Sequence, residues 1–325
     1  MVVTRLYFGI PAQTSTTHYE IDLALELSKH HRRLIRQKQL FTVYGGLYQD
    51  QNGSNAYIST APHYWVTKRS INRGFKAWKK QISEAMSNVA DSGSSPVRSG
   101  KWSDFKIRLA PHGDDDFDGY LHARDAANNL LPSGEWNYTT VTRPRPDIEA
   151  GTDQYVSQDS DQFEMHICGP HESTTQGTKI NYSRVGLIKS WLDSRSIPES
   201  LPADGSTGNP ENIPEQLNDP LYQMFLKGDA DEDEKIVDAI NTENDFPPYD
   251  TDLVWGNNTD SDNSRANLQL QCIASPDDSS AGVATVAGFQ SLCGLLRVTI
   301  TGDNGSGESD ASVLILDVES NGVAF

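Results

Sequence analysis

Apolar positions in this chain fall mostly two apart. Tyr19, Ile21, Leu23, Leu25 and Leu27 alternate with polar or small residues across residues 19–27, the period of a half-buried strand. Further strands are predicted at residues 4–9, 40–48, 56–60, 104–109, 135–142 and 162–168. Three more close the chain at 266–273, 293–300 and 311–318. Asn52-Gly53 is a two-residue hairpin signal, so residues 56–60 are expected to pair back on 40–48, which Gly45-Gly46 kinks. Helical spacing appears in Ile71, Phe75, Trp78 and Ile82 and predicts a helix over 68–88. Residues 185–192 read as a second, short helix. From 194 to 250 Pro, Asp, Asn, Glu and Gly dominate, so a long surface excursion is expected, helical only near 232–241.

About eight to ten strands with long connections and one or two short helices predict an all-β fold. A single jelly-roll β-sandwich over residues 1–325 accommodates them better than an up-and-down barrel, whose connections are short. The insertion then lies at about 194–250 and the closing strands at 266–325. A hydrophobic content of 36% suits a thin sandwich core. No apolar run reaches the roughly 18 residues that a membrane-spanning helix needs. The opening Met1-Val-Val-Thr-Arg lacks the charged and apolar regions of a secretory signal. Cys168, Cys272 and Cys293 have no framework spacing and are expected as buried free thiols.

Charge sharpens the picture through its distribution. The net value is −18, yet residues 29–108 hold 15 Lys/Arg against four acids, and the rest of the chain holds 12 against 41. Such polarity offers one face to a polyanion. The candidate phosphate-binding residues are Arg32, Arg33, Arg36 and Lys38, with Arg73, Lys76, Lys79 and Lys80 on the predicted helix. The competing reading of that helix is a cover for a sheet, with its lysines merely solvated.

Residues 114–125 carry the sharpest local motif. Asp114, Asp116 and Asp118 stand at positions 1, 3 and 5 of a twelve-residue loop, Gly119 at 6 and Asp125 at 12, as in a calcium-binding EF-hand loop. Short acids on a turning loop converge on one hard cation. Glycine allows the positive φ, and Tyr120 at position 7 offers its carbonyl. Asp125 replaces the usual Glu, and a strand rather than a helix is predicted before the loop. The alternative is a solvated acidic loop. His166, Cys168 and His171 form a second cluster without a fourth ligand, so core histidines and a core thiol are the expectation. No nucleophile elbow, phosphate-binding glycine loop or zinc-protease motif occurs, and the chain is not expected to be an enzyme.

Short segments in order along the chain resemble a known family: Ile21-Asp-Leu23, Trp65, Phe75-Lys-Ala-Trp78, Asp104-Phe-Lys-Ile107, Asn129-Leu-Leu-Pro132 and Gly134-Glu-Trp136. They continue in Val185-Gly-Leu-Ile188, Ser194-Arg195, Asp245-Phe-Pro-Pro-Tyr249, Gly288-Phe289 and Cys293-Gly-Leu-Leu296. The chain thus resembles the capsid proteins of small circular Rep-encoding single-stranded DNA (CRESS-DNA) viruses. That resemblance implies a jelly roll that self-assembles into an icosahedral shell around viral single-stranded DNA. It implies a protein of the virion, made in the host cell, with no catalytic residues, no membrane insertion and a host receptor the sequence does not identify. It also implies that the closing strands pair with the opening strand around residues 21–27. The family often begins with an Arg-rich arm. Here the opening lacks one, and residues 29–108 are its expected substitute. Two other classes compete: a calcium-dependent β-sandwich module binding carbohydrate or another surface ligand, and a carboxylate-pair hydrolase.

Overall fold

Alternation survives best at the two ends of the chain, which meet. In Thr4–Ile10 (β1) Leu6, Phe8 and Ile10 point inward while Arg5 and Tyr7 point out, and the strand pairs along its length with Ser312–Val323 (β15). The computed structural model describes residues 3–12, 15–50, 53–91, 102–111, 117–148, 155–176, 179–194, 268–276, 282–301 and 311–323.

Two sheets face one another. In the first, Val283–Val286 (β12) and Phe289–Leu292 (β13) both pair with Gln39–Gln49 (β3), followed by β15, β1 and the short Ala123–Arg124 (β6). In the second the order is Gln269–Ala274 (β11), Ala56–Thr60 (β4), Leu295–Ile300 (β14), Thr17–Asp22 (β2) and Phe117–Tyr120 (β5). One core fills the space between them. Leu6, Phe8, Phe41, Val43, Leu314 and Leu316 come from the first sheet, and Tyr19, Ile21, Ile58, Leu296, Val298 and Ile300 from the second. The protein is an all-β sandwich, and its strands switch from one sheet to the other as the chain runs from β1 to β4 and from β11 to β15.

The hairpin expected from residues 40–48 to 56–60 does not form. Both edges of β3 are taken, by β15 and by β12 and β13, so β4 crosses to the other sheet between β14 and β11. Asp50 anchors the crossing: its carboxylate accepts the Ser54 N–H at 2.6 Å, and its own N–H donates to the Gly282 carbonyl at 2.8 Å. Gly46 is required where β3 passes β15, because a Cβ there would collide with the Ile315 carbonyl.

The long strand expected at residues 19–27 stops halfway. Asp22 ends β2 and caps Leu23–His31 (α1), its Oδ1 accepting the Ala24 and Leu25 N–H groups at 3.0 and 3.2 Å. Its Oδ2 accepts Gln37 Nε2 at 2.8 Å and Trp136 Nε1 at 3.1 Å. Burial lifts this carboxyl to about 6, against the hydrogen bonds that favour its anion. Residues 23–27 are all buried, Glu26 included, so their alternation of Leu with other residues had no solvent face to report. Glu26 is held by Lys29 at 2.8 Å, His122 at 2.9 Å and the Ala123 N–H at 3.0 Å.

Between β4 and β11 the chain returns to the sandwich only at its edges among the described residues, as β5 and β6, and otherwise builds a separate layer. Trp65–Asp91 (α2) covers the expected helix, and Leu187–Asp193 (α3) the short one. Thr140–Ile148 (β7), Tyr155–His166 (β8), Lys179–Gly186 (β10) and Glu172–Gln176 (β9) form a third sheet in that order. Phe105, Ile107 and Leu109 are buried as expected, but their segment is extended chain, bridged to β8 only at Arg108 and His166. Residues 135–139 are likewise irregular, and β7 starts at Thr140. A second core joins Ile71, Phe105, Ile107, Met165, Ile167, Val185 and Ile188 to Cys293 and Leu295 of the sandwich. Most of residues 194–250, with the expected helix at 232–241, lies outside the described residues.

Candidate nucleic-acid interface

Helix α2 packs the apolar side of its first half, while Ile82 is half-buried and Met86 exposed farther along. Val66 and Ile71 are buried, and Phe75, Trp78 and Phe105 form a mutual cluster with ring centroids 5.6 to 5.8 Å apart. Gly74 lets α2 approach α3, since a Cβ there would stand 2.7 Å from Leu187 Cδ2. Farther along, the Gln81 amide hydrogen-bonds both the carbonyl and the N–H of Thr142 on the edge strand β7. The helix is thereby fastened at its middle and its far half. Its other side is solvent-exposed at Trp65, Arg69, Arg73, Lys76, Lys79 and Lys80.

The eight predicted cations divide into two groups. Arg73, Lys76, Lys79 and Lys80 share the exposed side of α2, and Lys38 reaches the same helix, its Nζ 4.3 Å from the Phe75 ring. Arg36 lies 3.4 Å from Asp104, beside that aromatic cluster. Arg32 closes α1 in the left-handed conformation, φ 54°. Arg33 lines a cavity of about 330 Å³ with Thr4, Leu27, His31, Ile35, Val318 and Ser320. Some of the basic stretch is internal. Lys29 is buried on Glu26, Lys106 is buried with its Nζ 4.4 Å from the Trp136 ring, and Arg108 donates to Glu164 at 2.6 Å and to the Tyr120 hydroxyl at 2.7 Å. Counting charge along the sequence therefore overstates the exposed cations. Arg69 belongs to that charge but not to the candidate set, and the count gives no weight to Trp65; helical spacing from Arg73 places both on the same side.

The aspartate loop is described only in its second half. Asp114 and Asp116 fall outside the described residues, and Asp118 is described as part of β5, which pairs in parallel with β2. Gly119 has the positive φ that the motif asks for, 120°. Asp125 closes a local turn: its Oδ1 accepts the Ala127 N–H at 2.9 Å and the Asn129 N–H at 2.8 Å, which holds its pKa low. The Tyr120 ring stacks on Tyr138, centroids 6.2 Å apart. Among the described residues no three His, Cys, Asp or Glu side chains gather as a metal site.

His166, Cys168 and His171 are engaged separately. His166 Nε2 donates to the Pro170 carbonyl at 2.9 Å, which fixes a neutral tautomer with a bare, buried Nδ1. His171 Nδ1 accepts the Gly186 N–H at 3.0 Å. Burial pushes His166 down to about 4 and His171 to about 3, and it raises the Cys168 thiol far above its ordinary value. All three cysteines are free and buried, as the sequence led us to expect. Compared with family models, with curated proteins and with solved structures, the chain gives no match.

Proposed function

We propose that this chain is the shell-forming capsid subunit of a small single-stranded DNA virus. The observation that carries the reading is the nesting of its strand pairs. β1 pairs with β15, β2 with β14, β3 with β13 and β12, and β4 with β11. First goes with last and second with second-last, as in one long hairpin rolled into two facing sheets. That order supports the jelly roll, an architecture of viral shells and also of lectins and cupins. Because a fold hosts many functions, the choice among them rests on the site. No catalytic step is assigned, and a cationic helix on a chain of net charge −18 suits a polyanion better than a neutral glycan. The segments that resemble the capsid family sit at structural junctions here: Asp22 at the β2–α1 cap, Phe75 and Trp78 in the α2 cluster, and Cys293-Gly294 in the tight turn before β14.

Negative-stain microscopy of purified protein tests the reading. Closed, uniform particles are expected. Monomers alone, with and without calcium, would overturn it.

A further inference from the structure

The exposed side of α2 carries an aromatic ring in line with its charges. Trp65, Arg69, Arg73, Lys76 and Lys80 are spaced four, four, three and four residues apart. At 100° per residue all five fall within an arc of about 80°, on a stripe roughly 22 Å long. Lys79 stands at its margin. The only acid in this stretch of the helix is Glu84, 3.6 Å from Lys80, with both side chains more than 60% exposed, a pair weak enough for a phosphate to replace. Trp65 is 52% exposed, although tryptophan is a side chain that proteins usually cover. Its ring stands at 86° to the buried Trp191, centroids 6.5 Å apart, and the Arg73 guanidinium lies 5.7 Å from the same Trp191 ring. The indole is therefore positioned before any partner arrives.

Resting on the capsid reading, we propose that this stripe binds single-stranded DNA, with phosphates along Arg69, Arg73, Lys76 and Lys80 and one base stacked on Trp65. Charge alone fits a duplex or an acidic surface of a second copy equally well. The tryptophan separates them, because only an unpaired base has a free face to lay on an indole. Four phosphate contacts predict a salt slope of about −3 in log K against log salt, and loss of the indole predicts weakening of roughly tenfold or more.

The test uses the full chain, labelled oligothymidylate and a duplex of equal length, read by fluorescence anisotropy at several salt concentrations. Trp65→Ala should weaken single-strand binding by about tenfold and leave duplex binding nearly unchanged, and Trp65→Phe should recover most of it. Lys76→Gln with Lys80→Gln should reduce the salt slope by about 1.4. Thermal melts of each variant separate loss of contact from loss of fold, and the surface lysine pair keeps the test open if Trp65→Ala melts early. Parental binding by the lysine variant would overturn the proposal, as would equal loss on single strand and duplex in Trp65→Ala. So would variants that lose particles while keeping DNA affinity, since the stripe would then be a contact between copies. Microscopy of the same samples keeps the two readings apart: stripe-dependent binding without particles removes the shell and leaves the stripe.

Discussion

Acid should unfold this protein through two imidazoles that solvent reaches poorly. His166 is fully buried and neutral, donating to the Pro170 carbonyl. His171 accepts the Gly186 N–H, and its edge meets the Tyr182 ring. In the unfolded chain both titrate near 6.5, whereas burial holds them at about 4 and about 3 when folded. A base whose pKa is lowered by folding contributes its full stability above 6.5 and loses it as pH falls through the folded value. For His166 the loss reaches about 2 kcal/mol near pH 5 and about 3 kcal/mol by pH 4, and His171 adds a loss of the same sign. Asp22 works in the opposite direction. Raised by burial to about 6, it stabilises most below its ordinary 3.8 and loses that contribution as pH rises through 6. Comparing variant with parent removes that term. Urea titrations of the purified protein from pH 7.5 to 5, followed by tryptophan fluorescence, make the comparison. His166→Gln keeps a donor for Pro170, and His171→Asn keeps an acceptor for Gly186. The double variant should lose most of the parent's fall in stability between these pH values. An undiminished acid loss in the double variant refutes the reasoning.

Asp22→Ala leaves two helix N–H groups, Gln37 and Trp136 without their acceptor, and should cost about 3–5 kcal/mol in denaturant midpoint experiments. Asp22→Asn should fall between it and the parent, because one oxygen remains. A cost under 1 kcal/mol for the alanine would mean that water replaces the carboxylate freely. Asp125→Ala should lower the melting temperature equally in calcium and in chelator, since its carboxylate already holds the turn of Ala127 and Asn129. A loss confined to calcium would assign Asp125 to a metal instead.

Period two was a sound guide wherever a strand had one wet face. β1, β3 and β15 stand close to where the alternation put them, and β14, buried on both faces, also stands where its apolar run lay and pairs with β2 at Leu296 and Ile21. Period two misled over residues 23–27, where both faces are dry. Leu23, Leu25 and Leu27 alternate on paper, but Ala24 and Glu26 between them are just as buried, and a cap made by Asp22 decides for helix. Asn52-Gly53 was read as a hairpin turn; Asn52 lies outside the described residues, Gly53 has the positive φ of 74°, and the strand after it does not pair back on β3. Turn chemistry fixes the local reversal, whereas the partner of the next strand depends on which sheet edge stands open, and that is decided by strands more than 200 residues later. The third sheet was invisible as a unit, since β9 has no apolar residue and β10 has only Ile180, Tyr182 and Val185, too few to mark a strand by alternation.

Charge was legible in sign and not in place. Lys29, Lys106 and Arg108 belong to the basic stretch in sequence, but each spends its cation on an internal partner. What reaches solvent on α2 is narrower than the count over residues 29–108 implied, and it includes an indole that no charge count registers. The placement follows from the nested strand pairs. The added elements lie between β4 and β11, the innermost of the nested pairs, and that segment rejoins the sandwich at its edges as β5 on β2 and β6 on β1. Closing a loop costs only about 0.6 kcal/mol for each doubling of its length, so an insertion folded into its own sheet and helices adds little to the cost of joining these two strands. α2 is mounted on that insertion and backed by a core of its own, yet Cys293 and Leu295 tie the core to the sandwich. The cationic stripe is thus held to the sandwich without occupying either of its sheets.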